Sequence, residues 1–484
     1  MIGIKTIMNN GVAFYLASRY FTYFIQFVTS LIIAAELGPY YLGIWGFVLL
    51  ILQYFQQFHL GIGNSFNVLY VQHRNDVRKC DNYIGNSIVL VTCLSAFVLL
   101  FYFYYLFYGI EIFEKYHVDK YLVWICLVAI MQYFVQFFIN VFRVKNQLIR
   151  ISFCQSIIVL LNFLCLFFFK GETLIEFLIA GYVVGNMLCI LIALTSGDIP
   201  GFSKICIKID YQLEIIKKGL FLFIYNSCFL FIIISIRTII SHYYPVEEFG
   251  IFTFSFTLAH AFLLVLEAMS FIVFPKIISK MSSDNIVEVK DALITLRITY
   301  ITSSHIMIYV AMICFPLIIF FLPKYSDAIT SLNLIALTIL MNVNSTGYNE
   351  LLIANNKEKK MALFSSFALL LNCLIALFLV LLLRVSFSYV IIATLITYYL
   401  YTLMIVFDGC KHLGDKKIVE VIVELMPLRL LIPYIIAFVI TLLQWESYIW
   451  IPIVFLILLN SKQIRKIMDV TKLLLFRPEV VNLK

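Results

Sequence analysis

The sequence predicts an all-α polytopic membrane protein of about fourteen transmembrane helices, built as two pseudo-symmetric six-helix lobes plus two further helices, with both termini cytoplasmic. Three observations predict it. Hydrophobic residues fill 63% of the 484 positions and charged residues only 13%, with a mean hydropathy of +1.00. Soluble domains are typically about 45–50% apolar and about 25% charged, so this much apolar surface requires a bilayer. The apolar segments run unbroken for about 18–25 residues instead of alternating with period two, which argues against a β-barrel. Finally, the basic residues fall in short clusters between these segments, chiefly in every second connection, which puts them on one side of the membrane.

Read against charged and Gly/Pro punctuation, the spans fall at 12–35, 41–62, 83–108, 121–142, 151–169, 174–195, 219–241, 249–274, 293–322, 329–353, 361–383, 387–407, 428–444 and 447–460. With the N-terminus cytoplasmic, 28 of the 35 Lys and Arg lie on that side. Only Lys115, Lys120, Lys170, Lys324 and Arg384 lie opposite, and Arg19 and Arg237 sit inside spans. A missed or invented helix would scramble this alternation, so the bias supports both span count and orientation. The formal charge of +8 contains no long basic run and does not point to nucleic acid. The eleven cysteines lie mostly in apolar segments without a C-x-x-C pair and read as small hydrophobes. The first apolar segment is too long, and lacks the small-residue site, for a cleavable signal. Loops are short, which leaves no extramembrane domain to house chemistry.

The chain carries an internal repeat. Gly43-Ile44-Trp45-Gly46-Phe47 follows Pro39, and Gly250-Ile251-Phe252-Thr253-Phe254 follows Pro245, 207 residues later. Asn146 and Asn162 are matched by Asn356 and Asn372, each 210 residues on. An even number of spans separates the copies, so both enter the membrane in the same direction. That is a parallel repeat, a plan that puts a substrate site between two bundles. The expected organisation is an N-terminal lobe at 1–203, a cytoplasmic linker at 204–218, a second lobe at 219–410, and two extra helices with a basic tail at 411–484. This is the plan of a transporter.

Several stretches resemble one family. ELGPYYLGIWGF (36–47), HLGIGNSF (59–66), EIIKKGLFLF (214–223), PLIIFFLPKYSDAITSLNLIALTIL (316–340) and LLIANNKEKKMALFSSFALLLN (351–372) occur in the order and spacing of oligosaccharide-lipid flippases. These are the O-antigen repeat-unit (Wzx-type) transporters of the multidrug/oligosaccharidyl-lipid/polysaccharide exporter superfamily. The sequence departs from their pattern at Glu36, His59 and Phe221, where a basic residue, an acidic residue and a proline are usual. The resemblance implies a multi-pass flippase of the bacterial inner membrane. Its cargo would be an oligosaccharide on polyprenyl (undecaprenyl) pyrophosphate, turned to the outer face by alternating access for surface-polysaccharide assembly, beside a polysaccharide polymerase. No G-x-x-x-x-G-K-[ST] loop is present, so ATP hydrolysis and a nucleotide cofactor are not expected. Energy would come from an H+ or Na+ gradient or from product removal. A lipid II flippase and a cation-coupled drug exporter of the same superfamily stay open as alternatives. A membrane polymerase or ligase is disfavoured by the short outer loops.

The intramembrane ionisable residues are the candidate site. Arg19 lies nine residues past Asn10, about 13 Å into the first span at 1.5 Å per residue. Its guanidinium either snorkels back to the interface or forks onto pyrophosphate oxygens in a wet cavity. Arg237, in the repeat partner of that span, could clamp the same anion or snorkel outward. Arg297 is an interfacial anchor or a group at the cavity mouth. His260 and Glu267, two helical turns apart on one face, could carry a coupling proton or form a neutral interhelical pair. His305 reads as a helix-packing group, and Asn226, Asn342 and Asn344 either bond sugar hydroxyls or act as polar glue between helices.

Overall fold

The computed structural model describes residues 11–467 apart from 110, 202–204, 263, 265–276, 278–279, 284, 415–417 and 466. Among the described residues every regular element is helical, as a chain threading hydrocarbon requires: only a helix satisfies its own backbone groups there. The chain divides into two compact units, Met1–Thr253 and Phe254–Lys484.

The first unit opens with α1 (Gly11–Gln57), which holds the first two expected spans. Gly38, at φ 65° and ψ 175°, breaks the helix between them, and only glycine adopts that conformation without strain. Pro39 restarts the helix at a position where its missing N–H costs nothing. After a second break, with Leu60 and Gly61 at positive φ, come α2 (Ile62–Gln72) and α3 (Val77–Tyr108). The Asp76 side chain caps α3, accepting from the Lys79 N–H at 3.1 Å. Then follow α4 (Glu111–Lys115), α5 (Leu122–Val144), α6 (Leu148–Cys165), α7 (Gly171–Thr195), α8 (Ile209–Tyr243) and α9 (Val246–Ala261), which enters the second unit. Lys115 closes the end of α8: its Nζ donates to the carbonyls of Ser241, His242 and Tyr244 at 2.8, 3.3 and 2.6 Å. A cation at a helix C-terminus is favoured by the dipole as well as by these orphan acceptors.

Helix α8 begins at Ile209, ten residues before its expected apolar core, so much of the expected linker is helical. The stretch at 205–208 is pinned along α3. Asn86 donates to the Cys206 carbonyl at 2.9 Å and accepts from the Lys208 N–H at 3.1 Å, while Asn82 accepts from the Cys206 N–H at 2.7 Å.

The G-I-aromatic motifs turn out to be a helix crossing inside the first unit. A Cβ on Gly43 would meet Val246, one on Gly250 would meet the carbonyl of Pro39, and one on Gly46 would meet Thr253. Shifted by the repeat of 207, Pro39 corresponds to Val246, Gly43 to Gly250 and Gly46 to Thr253. The contact is therefore isologous: each pair recurs with its roles exchanged, and a local two-fold axis passes between Gly46 and Thr253.

The second unit contains α10 (Ile286–Phe321), α11 (Ala328–Val343), α12 (Tyr348–Ala354), α13 (Glu358–Leu377), α14 (Ile392–Leu413), α15 (Ile418–Leu425), α16 (Leu428–Leu442) and α17 (Ile451–Leu459). Helices α11 and α12 are bent by 41° about the turn that ends at Gly347. The asparagine repeat is also structural. Asn146 and Asn356 both occupy left-handed turns, at φ 58° and 54°. Asn162 presses its Oδ1 on Gly181 of the next helix, and Asn372 accepts from Thr394 of its next helix at 3.0 Å.

The expected spans fall on helical segments, 329–353 on the bent pair α11 and α12 and the start of the eighth on α9. By length and composition, nine helical segments of the described residues suffice to cross a bilayer, ten if the bent pair counts as one span. The first of these, Ala17–Gln72, covers two expected spans, and Leu428–Leu442 and Glu446–Leu459 are apolar but shorter. Phe107 and Phe320, 81% and 79% exposed, typify side chains left for lipid.

Candidate functional site

The three arginines have different surroundings. Arg19 is half-buried on α1; its Nη2 donates to the Tyr23 hydroxyl at 2.5 Å and its guanidinium lies 4.5 Å from that ring. Tyr15, one turn back and buried, is within electrostatic reach of both Arg19 and Arg143. Arg143 is in the last turn of α5, so Arg19 belongs to the end of the unit where α5 finishes.

Arg237 is 2% exposed. Its Nη1 donates to Gln53 Oε1 at 2.7 Å and its Nη2 to the Gly46 carbonyl at 3.0 Å, beside the isologous crossing. Arg297, also buried, belongs to the second unit and donates to four carbonyls. They are those of Asn344 (2.7 Å), Thr346 (2.8 Å), Glu424 (2.9 Å) and Leu425 (3.3 Å). It thus holds the bend after α11 and the C-terminus of α15, two places where helix carbonyls lack intrahelical partners. Next to it the Tyr348 hydroxyl donates to Glu424 at 2.9 Å, and Glu350 accepts from the Gly347 N–H.

His260 places Nδ1 2.9 Å from the Phe256 carbonyl of its own helix, and Glu267 lies outside the described residues. His305 is fully buried, 3.2 Å from the Tyr309 hydroxyl. Arg19 bonds Tyr23 whereas Arg237 bonds Gln53 and the Gly46 carbonyl, and Arg297 and His260 belong to the other unit.

A polar cavity of about 300 Å³ was not anticipated. It lies in the first unit, where α1 breaks into α2, and is walled by α3 and α5. Six side-chain amides line it: Gln56, Gln57, Asn64, Gln132, Gln136 and Asn140. Gln132, Gln136 and Asn140 recur every four residues, one face of α5. Gln56 donates to Gln132 at 2.8 Å, and Asn140 accepts from Asn67 at 2.8 Å. The side-chain amides of Gln57, Asn64 and Gln136 make no hydrogen bond to another described residue. His59 Nδ1 accepts from the Gly61 N–H at 2.9 Å, and Tyr133 and Phe137 supply aromatic walls. Irregular backbone at membrane depth is tolerated where it lines a cavity, which accounts for the break at Leu60 and Gly61. The i, i+4, i+8 amides within an apolar span were a readable signal; their partners across the helix break were not.

Fold and cavity together give a polytopic helical protein with a polar chamber inside one helical unit. A structure of the lipid II flippase MurJ in an inward closed conformation is similar at TM-score 0.67 and 15% identity, covering 97% of this chain and 100% of that one. A multidrug resistance MATE family transporter of the MOP superfamily is similar in its inward-facing form at TM-score 0.66 and 12% identity, covering 82% of this chain and 98% of that one. The outward-facing form matches at TM-score 0.60 and 12% identity, covering 84% and 97%. No curated protein matches by sequence. The family model described as polysaccharide biosynthesis protein matches residues 8–282, more than half of the chain. The chain belongs to that family.

Proposed function

We propose that this protein flips oligosaccharides linked to polyprenyl (undecaprenyl) pyrophosphate across the bacterial inner membrane, for O-antigen or another surface polysaccharide. The observation that carries this reading is the conjunction of a polysaccharide-biosynthesis family match over 8–282 with a fold similar along 97% of the chain to a lipid flippase. In this reading the two lobes alternate access to either face, loading at the cytoplasmic side where the α5 end of the first unit would lie. Arg19 meets the pyrophosphate there, its fork matching phosphate oxygens. Arg237 and Arg297 keep helix crossings and bends in register, their guanidinium groups already engaged by carbonyls. An H+ or Na+ gradient drives the cycle, with His260 and Glu267 as the candidate proton pair. A cation-coupled drug exporter would want carboxylates around its cargo, and the amide cavity is lined by none.

The test is deletion of the gene in a strain without a redundant flippase. The expected result is loss of surface polysaccharide with lipid-linked repeat units accumulating on the cytoplasmic side. Normal polysaccharide without accumulation sinks the proposal.

A further inference from the structure

We propose that the amide cavity of the first unit is a subsite for uncharged, hydroxyl-rich sugar residues of the cargo, an inference that rests on the flippase reading above. Charge decides the ligand class first. Among the described residues no Asp, Glu, Lys or Arg side chain lines the cavity, so neither an anion nor a cation would find a fixed counter-charge there. Hydrogen-bond capacity decides it next. An amide offers both donors and acceptors, as a sugar hydroxyl does, and Gln57, Asn64 and Gln136 have theirs uncommitted among the described residues. His59, with Nδ1 accepting from Gly61, keeps Nε2–H as a further donor when neutral. Tyr133 and Phe137 add apolar ring surface to the lining, suited to the C–H groups of a sugar. At about 300 Å³ the cavity stands at the lower edge of small-ligand sites, about 300–1,000 Å³.

Position links the cavity to the cation. Asn140 is three residues, one helical turn, from Arg143, which with Arg19 is within electrostatic reach of Tyr15. The same end of the unit thus offers a charged group for the pyrophosphate and a neutral chamber for the sugars next to it.

The experiment uses the full-length protein in nanodiscs and two lipids: undecaprenyl pyrophosphate without sugar, and undecaprenyl pyrophosphate bearing the cell's own repeat unit. Wild type should bind the sugar-bearing lipid more tightly. Gln136→Leu and Asn64→Leu should each narrow that preference by about fivefold, the range of one lost hydrogen bond, and leave the sugar-free lipid unaffected. Because both lipids are measured on one sample, loss of folded protein does not alter the ratio of affinities. An unchanged ratio in both variants overturns the subsite while leaving the flippase reading intact. Failure of wild type to bind either lipid overturns both.

Discussion

A guanidinium in the first span has to be justified by something it touches, because a cation in hydrocarbon costs about 2.5–3.5 kcal/mol on insertion scales. Arg237 and Arg297 are justified by acceptors of this chain: a carbonyl and an amide for one, four carbonyls for the other. Arg297→Met should therefore act on stability. Stranding buried carbonyls at a helix bend should cost about 2–4 kcal/mol, read as a lower thermal midpoint of the detergent-solubilised protein. An unchanged midpoint would show that water replaces the guanidinium. Among the described residues, Arg19 bonds only a tyrosine hydroxyl and packs on that ring, both from its own helix, and it is half-buried. Arg19→Ala should lower transport at least about tenfold at equal expression, as loss of a charge-assisted pair with pyrophosphate predicts. Arg19→Lys should restore part of it; full restoration would remove the bidentate fork from the account.

At the scale of elements, the breaks matter more than the helices. The leucine-glycine-proline turn at 37–39 and the left-handed turns at Asn146 and Asn356 were readable because glycine, proline and asparagine each have a conformational reason to be there. The glycine crossing was readable only as a repeat, since spacing shows that two segments match and not that they touch. Its geometry yields a graded prediction. Gly250→Ala places a methyl on the Pro39 backbone, which cannot step aside, whereas Gly46→Ala meets the side chain of Thr253, which can rotate. Folded yield should fall more for the first than the second, by the about 1–3 kcal/mol typical of overpacking. Equal losses would contradict the crossing. Helix ends were misjudged for a physical reason: α8 and α10 start seven to ten residues before their apolar cores, at Ile209 and Ile286, because polar turns outside hydrocarbon stay helical without any hydropathy signal.

At the scale of the molecule, hydropathy and charge asymmetry made the all-helical membrane fold legible, because the bilayer constrains composition directly. The site was less legible. In a span apolar on every face, sequence does not reveal which way a polar residue turns. The arginines that engage carbonyls and the one left half-buried therefore look alike until their neighbours are placed. The amides of α5 share one face and are readable as a polar stripe, but their partners across the helix break are not. The central claim concerns movement of a lipid, and its most direct test is reconstitution. Purified protein in vesicles loaded with undecaprenyl pyrophosphate-linked repeat units, without nucleotide, should expose the sugars to an externally confined glycan-modifying enzyme. Exposure should be faster than in protein-free vesicles, and Arg19→Ala should abolish the difference. Exposure no faster than in protein-free vesicles, under an imposed H+ or Na+ gradient of either direction, would contradict the account.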